Sequence, residues 1–520
     1  MSQSNKAAKS IFIMIIFGIG SKLLGFVREM LIAAKFGSGV ETDTFFIALT
    51  AMSLFTSMFT QSLNTTMIPI MSDVEKNEGK EGKKQHANNL LNIVLLISFG
   101  VVILGWIFSP LIIKLLAHGF EGEQFKLAIT MMRIGMPVVI FSGVVGIYRG
   151  YLQSESMFIE SSASQFPFNF TYIFFLIFLS SFFGIKGLMV TSVLAVFSQI
   201  LIQIPGIRKI GYRYEFKVDF RDPYIKKILY LVLPVLVSVA VNDLNKIVDR
   251  SLASTLVTGS ISALNYSARL NSLVLAVFIT AIATVLFPML SKEAVRDTYY
   301  DSFKKLIRNG VNIILIITIL ATIGMIILTE EIVKLTFERG AFDSVATQMT
   351  SQALVFYTLG LVGMALRTFM ERAYYSLQDT KTPMVNGFIA VALNIILNLI
   401  LIGPMEHRGL ALATSIATTV TTVYLFYGLR KKIGPLGISQ ILKCSTKSLV
   451  ASIIMGVIVY FTYYSLIENS IGSTIFELGI LVLSVGLGVL VYLTILFLLK
   501  VEEMIWFINL FKKRFRKRVD

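Results

Sequence analysis

Stretches of about 20 mostly apolar residues return again and again along this chain, and each is long enough to carry a helix across a bilayer. They lie at approximately 10–33, 44–70, 89–117, 127–152, 158–182, 186–207, 226–256, 261–291, 305–329, 347–377, 384–403, 408–429, 443–466 and 473–499. In hydrocarbon every backbone donor and acceptor must be satisfied within the chain, and helices of this length do that unaided. The pattern predicts an all-α polytopic membrane protein with about 14 transmembrane helices. Composition agrees: only 15% of the 520 residues are charged, against 55% hydrophobic, and a water-soluble surface needs roughly 25% charged residues. The first run follows Lys6 and Lys9 but continues through Gly18, Lys22 and Arg28 without a cleavage pattern. It is therefore expected to be a retained span rather than a signal peptide.

The net charge of +16 would suit nucleic acid if it were clustered, but its placement tells otherwise. With the N-terminus cytoplasmic, 32 of the 47 Lys and Arg fall in inner segments, 8 in outer ones and 7 within spans. That alternation is the signature of orientation, with both termini inside and inner loops meeting anionic lipid headgroups. The tail 500–520 carries aromatics at near-helical spacing beside six cations after Phe511, and is expected to lie on the inner surface as an amphipathic helix. A single cysteine, Cys444, leaves no disulfide framework or thiolate metal site. Three dispersed histidines argue against a histidine-built centre, and neither a metal nor an organic cofactor is expected.

The chain also repeats itself. Arg28 pairs with Arg250, Pro69 with Pro288, Leu152-Gln153 with Leu377-Gln378, and Gly187-Leu188 with Gly409-Leu410, all at offsets of roughly 219–225 residues. A six-span repeat returns each copy to the same side. The two copies are therefore expected to be related by a pseudo-two-fold axis along the membrane normal, as in transporters with parallel repeats. The expected organisation is a six-helix lobe at 1–207, a cytoplasmic linker at 208–225, and a second six-helix lobe at 226–429. Two further helices at 430–499 and the basic tail at 500–520 complete it.

Charge inside a span costs at least ~2.5–3.5 kcal/mol, so each instance asks for a reason. Lys22, Arg28 and Glu29 lie in the first span, and Asn242, Lys246, Asp249 and Arg250 on its duplicate. Arg269 follows in span 8 and Arg367 in span 10, while Asp43 begins span 2. Asp243, Lys246 and Asp249 are spaced for pairing, as are Arg367 and Glu371. Lys22, Arg28 and Arg269 have fewer acids nearby. A cavity with surplus cations suits an anion, and the arginine fork suits phosphate oxygens.

Ser21-Lys22-Leu23-Leu24-Gly25-Phe26-Val27-Arg28-Glu29, then Phe36-Gly37-Ser38-Gly39 and Thr42-Asp43-Thr44-Phe45-Phe46, resemble the start of MurJ (MviN) proteins. Leu264-Asn265-Tyr266-Ser267-Ala268-Arg269 and Ser376-Leu377-Gln378-Asp379-Thr380-Lys381-Thr382-Pro383 extend the resemblance along the chain. These proteins are the lipid II flippases of bacterial peptidoglycan synthesis, in the multidrug/oligosaccharidyl-lipid/polysaccharide exporter superfamily. The resemblance implies alternating access between two lobes, a cationic cavity for the diphosphate–sugar head, and a groove at spans 13 and 14 for the polyprenyl tail. It places substrate contacts on Lys22, Arg28, Asp43 and Arg269; the intramembrane polar pattern itself marks Glu29, Asn242, Lys246, Asp249, Arg250 and Arg367 as candidate cavity or gating residues. It also implies a monomer in the cytoplasmic membrane, driven by membrane potential or a coupling cation (Na+ or H+). Where some members carry a basic pair in span 2, this chain reads Phe55-Thr56-Ser57-Met58. That leaves a different polyprenyl-linked glycan as one alternative and an ion-coupled drug antiporter as another. A membrane enzyme would need acids or histidines in catalytic spacing on a large outer loop, and the longest, about 330–346, has none.

Overall fold

The computed structural model describes residues 3–296, 300–468 and 474–501, and among them only helices and their connections occur. The basic tail expected as a surface helix lies almost wholly outside the described residues. Two compact units divide the chain. One comprises Met1–Ser262 with Arg339–Asp343, the other Ala263–Glu338 with Ser344–Asp520.

The first unit begins with α1 (Gln3–Phe36), α2 (Val40–Ile107), α3 (Ser109–Leu116), α4 (Gly122–Gly135) and α5 (Val138–Ser154). It continues through α6 (Phe158–Ala163), α7 (Gln165–Phe174), a π-helical turn at Phe175–Leu179, α8 (Ser180–Lys209) and α9 (Pro223–Ala253). At 1.5 Å per residue, the 68 residues of α2 would run about 100 Å, far more than one ~30 Å crossing. Gly79 breaks the run with non-helical φ 72° and ψ −172°, inside the polar stretch expected to separate spans 44–70 and 89–117. The same device recurs at Gly184 (φ 57°, ψ −157°) within α8, between the expected spans 158–182 and 186–207. The two halves of α2 pack with α5 and the start of α9 around Met67, Ile70, Leu90, Leu91, Tyr151, Tyr212 and Ile228, all buried.

The second unit takes up most of α10 (Ser260–Val274), a π-helical turn at Leu275–Ile279, α11 (Thr280–Arg296), α12 (Asp301–Ile327) and α13 (Thr329–Phe337). It then holds α14 (Ser344–Leu359), α15 (Leu361–Ser376), α16 (Lys381–Met405), α17 (His407–Ile433), α18 (Ile438–Ile467) and α19 (Thr474–Leu498). Phe303, Ile307, Phe369, Tyr374 and Leu425 form one core of α11, α12, α15 and α17. Met455, Val459, Tyr463, Tyr492 and Leu496 join α18 and α19 to α12 in another.

Eight helical runs are long and apolar enough to cross a membrane, and a ninth is reached if α14 and α15, bent by 46°, count as one. Two of the eight, Val40–Ile107 and Phe158–Lys209, hold the glycine breaks and room for two crossings each. The remaining expected spans, 10–33, 226–256 and 261–291, are helical along most of their length. The surface fits a lipid solvent: Leu96, Phe99, Phe182, Phe183, Val423, Phe461 and Phe497 are all exposed. Ser, Thr and Asn are instead buried between helices, as Asn386, Asn398, Thr421 and Ser448 are. Inside hydrocarbon, close packing and interhelical hydrogen bonds hold helices together in place of the hydrophobic effect.

Candidate functional site

Arg28 is the most elaborately housed cation of the spans. α7 presents Gln165, Phe168, Asn169 and Tyr172 at i, i+3, i+4 and i+7, a single helical face. Asn169 donates from its amide to the Ser21 carbonyl (3.2 Å) and the Gln165 carbonyl (3.0 Å), which fixes it beside α1. Its carbonyl oxygen is then left to accept from Arg28 Nη1 at 3.4 Å. The guanidinium lies 5.0 Å from the Tyr172 ring centre and 5.4 Å from that of Phe168, where the ring quadrupoles favour a cation. Its Nη2 donates to Glu29 Oε1 at 2.8 Å. The side chain is only 15% exposed, and its buried Nε has no hydrogen-bond partner among the described residues. Arg28 is thus held by one carboxylate, one amide oxygen and two rings, with its Nε–H unspent.

Lys22 is different. It is exposed, and six residues from Arg28 on a helix puts it about 120° further round. Gly18, Lys22, Gly25 and Glu29, at i, i+4, i+7 and i+11, share one stripe of α1, but that stripe divides. Lys22 stands open and Gly18 has free space beside it, whereas Glu29 is buried.

The α1–α2 turn explains the Phe36-Gly37-Ser38-Gly39…Thr42-Asp43 stretch residue by residue. Gly37 (φ 68°) ends α1 where a Cβ would lie 2.3 Å from the Ala341 carbonyl oxygen. Gly340 (φ 62°) answers it, with its own phantom Cβ 2.2 Å from the Ala34 oxygen, and Ala341 donates its N–H to Ala34 O at 2.8 Å. Thr42 Oγ1 donates to the Phe36 carbonyl (2.9 Å), and Ser38 Oγ to that of Gly259 (3.1 Å). Asp43 is 3% exposed. It accepts from Gly259 N (2.7 Å), Ser262 N (2.7 Å) and Ser262 Oγ (2.5 Å). Arg250, whose Nη1 donates to Ile261 O at 3.3 Å, adds its field to the same carboxylate. Asp43 therefore clasps the backbone where α10 begins, using an anion to satisfy N–H groups that a helix start leaves unpaired.

On α9 the expected pairing is present. Asp243 Oδ1 meets Lys246 Nζ at 2.8 Å and Asp243 Oδ2 accepts from Ser57 Oγ of α2 at 2.8 Å. Asn245 donates to Asp249 at 3.2 Å. The Asn242 side chain lies outside the described residues. Lys246 is half-exposed, so its far side remains available. In the second unit Arg367 pairs with Glu371 at 3.0 Å, and Arg372 sits 5.6 Å from the Phe287 ring. Arg269 is exposed on α10. Also in this unit, α12 and α18 flank an apolar groove of about 340 Å³, lined by Ile323, Ile326, Ile327, Ile453, Val457 and Phe461. No group of three or more His, Cys, Asp or Glu side chains poised for a metal occurs among the described residues.

Several partners escaped the sequence reading: Asn169, Phe168 and Tyr172 for Arg28, Ser57 for Asp243, and the backbone at 259–262 for Asp43. Asn169 left one trace, being with Gln165 one of two amides in a phenylalanine-rich span. Ser57 sits in the Phe55-Thr56-Ser57-Met58 stretch, whose lack of a cation hides its hydroxyl partner on α9.

The model of the family "Lipid II flippase MurJ" matches residues 32–482. A protein of Vibrio cholerae described as a probable lipid II flippase MurJ is 30% identical over 444 residues, covering 82% of this chain and 83% of that one. Another so described, from Rhizobium tropici, is 27% identical over 493 residues, 92% of each chain. The solved structure of a lipid II flippase MurJ in an inward closed conformation superposes with a TM-score of 0.75 at 27% identity, over 93% of this chain and 98% of that one.

Proposed function

The chain belongs to the lipid II flippase MurJ family, and from that membership we propose that it carries lipid II from the inner to the outer leaflet of the bacterial cytoplasmic membrane. It is a transporter rather than an enzyme. The observation that carries the reading is the coincidence of family and fold along nearly the whole length, 32–482 in sequence and 93% of the chain in structure. The substrate joins a diphosphate–sugar head to a long polyprenyl tail, and each part needs its own surroundings.

For the head, Lys22, Arg28 and Arg269 supply the positive charge. Lys22 and Arg269 are exposed, and Arg28 keeps an unpartnered buried donor despite its ion pair with Glu29. Arginine brings a rigid fork to phosphate oxygens and lysine a mobile point charge. Asp43, Asp249, Arg250 and Arg367 act indirectly in this scheme, by holding helices and turns in register. For the tail, where the resemblance implies a groove at spans 13 and 14, the apolar groove between α12 and α18, spans 9 and 13, offers a lining without charge. The membrane potential supplies the drive, since one net charge crossing 100 mV is worth ~2.3 kcal/mol, and a coupled Na+ or H+ would serve the same purpose. In this scheme the protein works as a monomer, and its basic inner loops favour both termini in the cytoplasm.

The test is complementation in cells depleted of their own lipid II flippase. Wild type is expected to restore growth, and Arg28→Ala and Arg269→Ala to fail at normal membrane levels. Growth with both variants would remove these cations from the substrate site while leaving the fold untouched. Arg28→Lys separates the two duties of Arg28: failure means that fork geometry and ring stacking matter, and rescue means that charge suffices.

A further inference from the structure

The segment joining α8 to α9, residues 210–222, is non-helical, yet it is firmly placed. Three asparagines of α2 hold its backbone. Asn88 donates to Arg213 O (2.9 Å), Asn92 to Glu215 O (3.1 Å) and Lys217 O (3.0 Å), and Asn89 to Asp219 O (2.9 Å). Tyr212 and Tyr214 return the favour, their hydroxyls donating to Asn88 and Asn92 at 2.6 and 2.8 Å. The carbonyls that bond to α2 belong to odd-numbered residues, and the even-numbered ones carry the apolar side chains. Apart from Tyr212, which is buried, those side chains find little cover: Phe216 is 80% exposed, Tyr214 55% and Phe220 51%.

The level of this strap in the membrane is fixed by its anchor. Asn92 lies four residues, about 6 Å, from Leu96, the first of the exposed apolar residues Leu96, Ile97 and Phe99 that mark the lipid face of α2. On α9, exposed Leu229 and Tyr230 begin seven residues after Asp222. The strap thus lies at the edge of the hydrocarbon. Arg208, Lys209, Arg213, Lys217 and Arg221 surround it against Glu215 and Asp219. All five cations are exposed, and none has an ion-pair partner among the described residues.

We infer that this strap is an interfacial anchor, with Phe216 and Phe220 sunk into the headgroup layer of the inner leaflet and its free cations on anionic lipid phosphates. Aromatics at the hydrocarbon edge beside unpaired cations are what an anionic bilayer surface binds. The inference rests on the cytoplasmic orientation proposed above.

The experiment labels F216C with an environment-sensitive fluorophore in full-length protein whose native thiol is removed by C444S. An 80% exposed side chain can be changed without disturbing packing. In phosphatidylglycerol-containing vesicles the label is expected to shift to the blue and to be quenched by headgroup spin labels. In phosphatidylcholine alone, or with R213Q/K217Q/R221Q, quenching should fall at least threefold. Water-like emission in both compositions, matching a label at E81C on an exposed stretch of α2, overturns the anchor. So does protection that appears only when a peripheral protein fraction is added, which would make the strap a protein-docking surface. Labelling of F216C by an impermeant maleimide from outside intact cells would overturn the orientation as well. Inner-face labelling without lipid quenching overturns this inference alone.

Discussion

Asp43 has three donors aimed at it, and a residue so placed loses more by neutralisation than by a small change of shape. Hydrogen bonds to a charged group contribute about 1.5–3 kcal/mol. Asp43→Asn should therefore lower the melting temperature of the purified protein by several degrees, because the amide presents an N–H to donors it cannot accept from. An Asp43→Asn protein that melts with wild type would show that the clasp at Gly259–Ser262 is incidental. Gly37 and Gly340 give a sharper case, since each combines positive φ with a carbonyl oxygen where Cβ would go. Gly37→Ala and Gly340→Ala should each cost upward of about 2 kcal/mol, while Gly39→Ala, with nothing within 4 Å of its added carbon, should cost little. Thermal denaturation of the three variants side by side decides it.

Among the elements, the α8–α9 connection contributes a pH dependence of definite sign. Burial pushes the Asp222 carboxyl up. The amide of Asn89, the His86 ring and the N–H of Tyr224 outweigh it and hold the group below the ordinary carboxylate range. Here Asp222 caps α9. His86 sits 2.5 Å from it through Nδ1 and 2.8 Å from Glu78 through Nε2, with the Tyr224 ring 4.7 Å away. A depressed folded-state pKa adds stability that is complete above about pH 4 and disappears as pH falls through the folded value. Asp222→Asn should accordingly melt below wild type at neutral pH, and the gap should close below about pH 4. A gap that is constant with pH would mean that Asp222 acts through shape alone.

Element existence was legible from apolar length, and so were the places where long helices must break. Gly79 and Gly184 fall in the expected gaps because a polar or glycine-bearing interruption is where a second crossing can begin. The asparagine ladder was not legible. Side chain-to-backbone bonds between residues some 125 apart, such as those of Asn88, Asn89 and Asn92, leave no periodic trace. Nor does spacing along the chain reveal every partner: Lys83 is fully buried between Glu75 (2.7 Å) and Glu155 (2.5 Å), the latter 72 residues away. Removing it leaves two half-exposed carboxylates without their shared cation, so Lys83→Met should cost about 1–3 kcal/mol, measurable by loss of folded protein in detergent.

At the scale of the whole molecule, the seat proposed for the polyprenyl tail in the apolar groove between α12 and α18 can be tested directly. Val457→Trp fills it without adding charge. Complementation should fall at least tenfold with membrane levels unchanged, and full growth would remove the groove from the transport route. The loop that carries Gly340 bears on a more practical matter. A stretch of a few residues between α13 and α14 is where a topology tag or protease site would ordinarily be inserted, since exposed connections tolerate such additions. Here the stretch Arg339–Asp343 is docked backbone to backbone on the end of α1, with Ala341 and Ala34 sharing a hydrogen bond. Reporter fusions placed there should fail for want of slack, and fusions at the open turn around Gly122, where added atoms meet nothing, should survive.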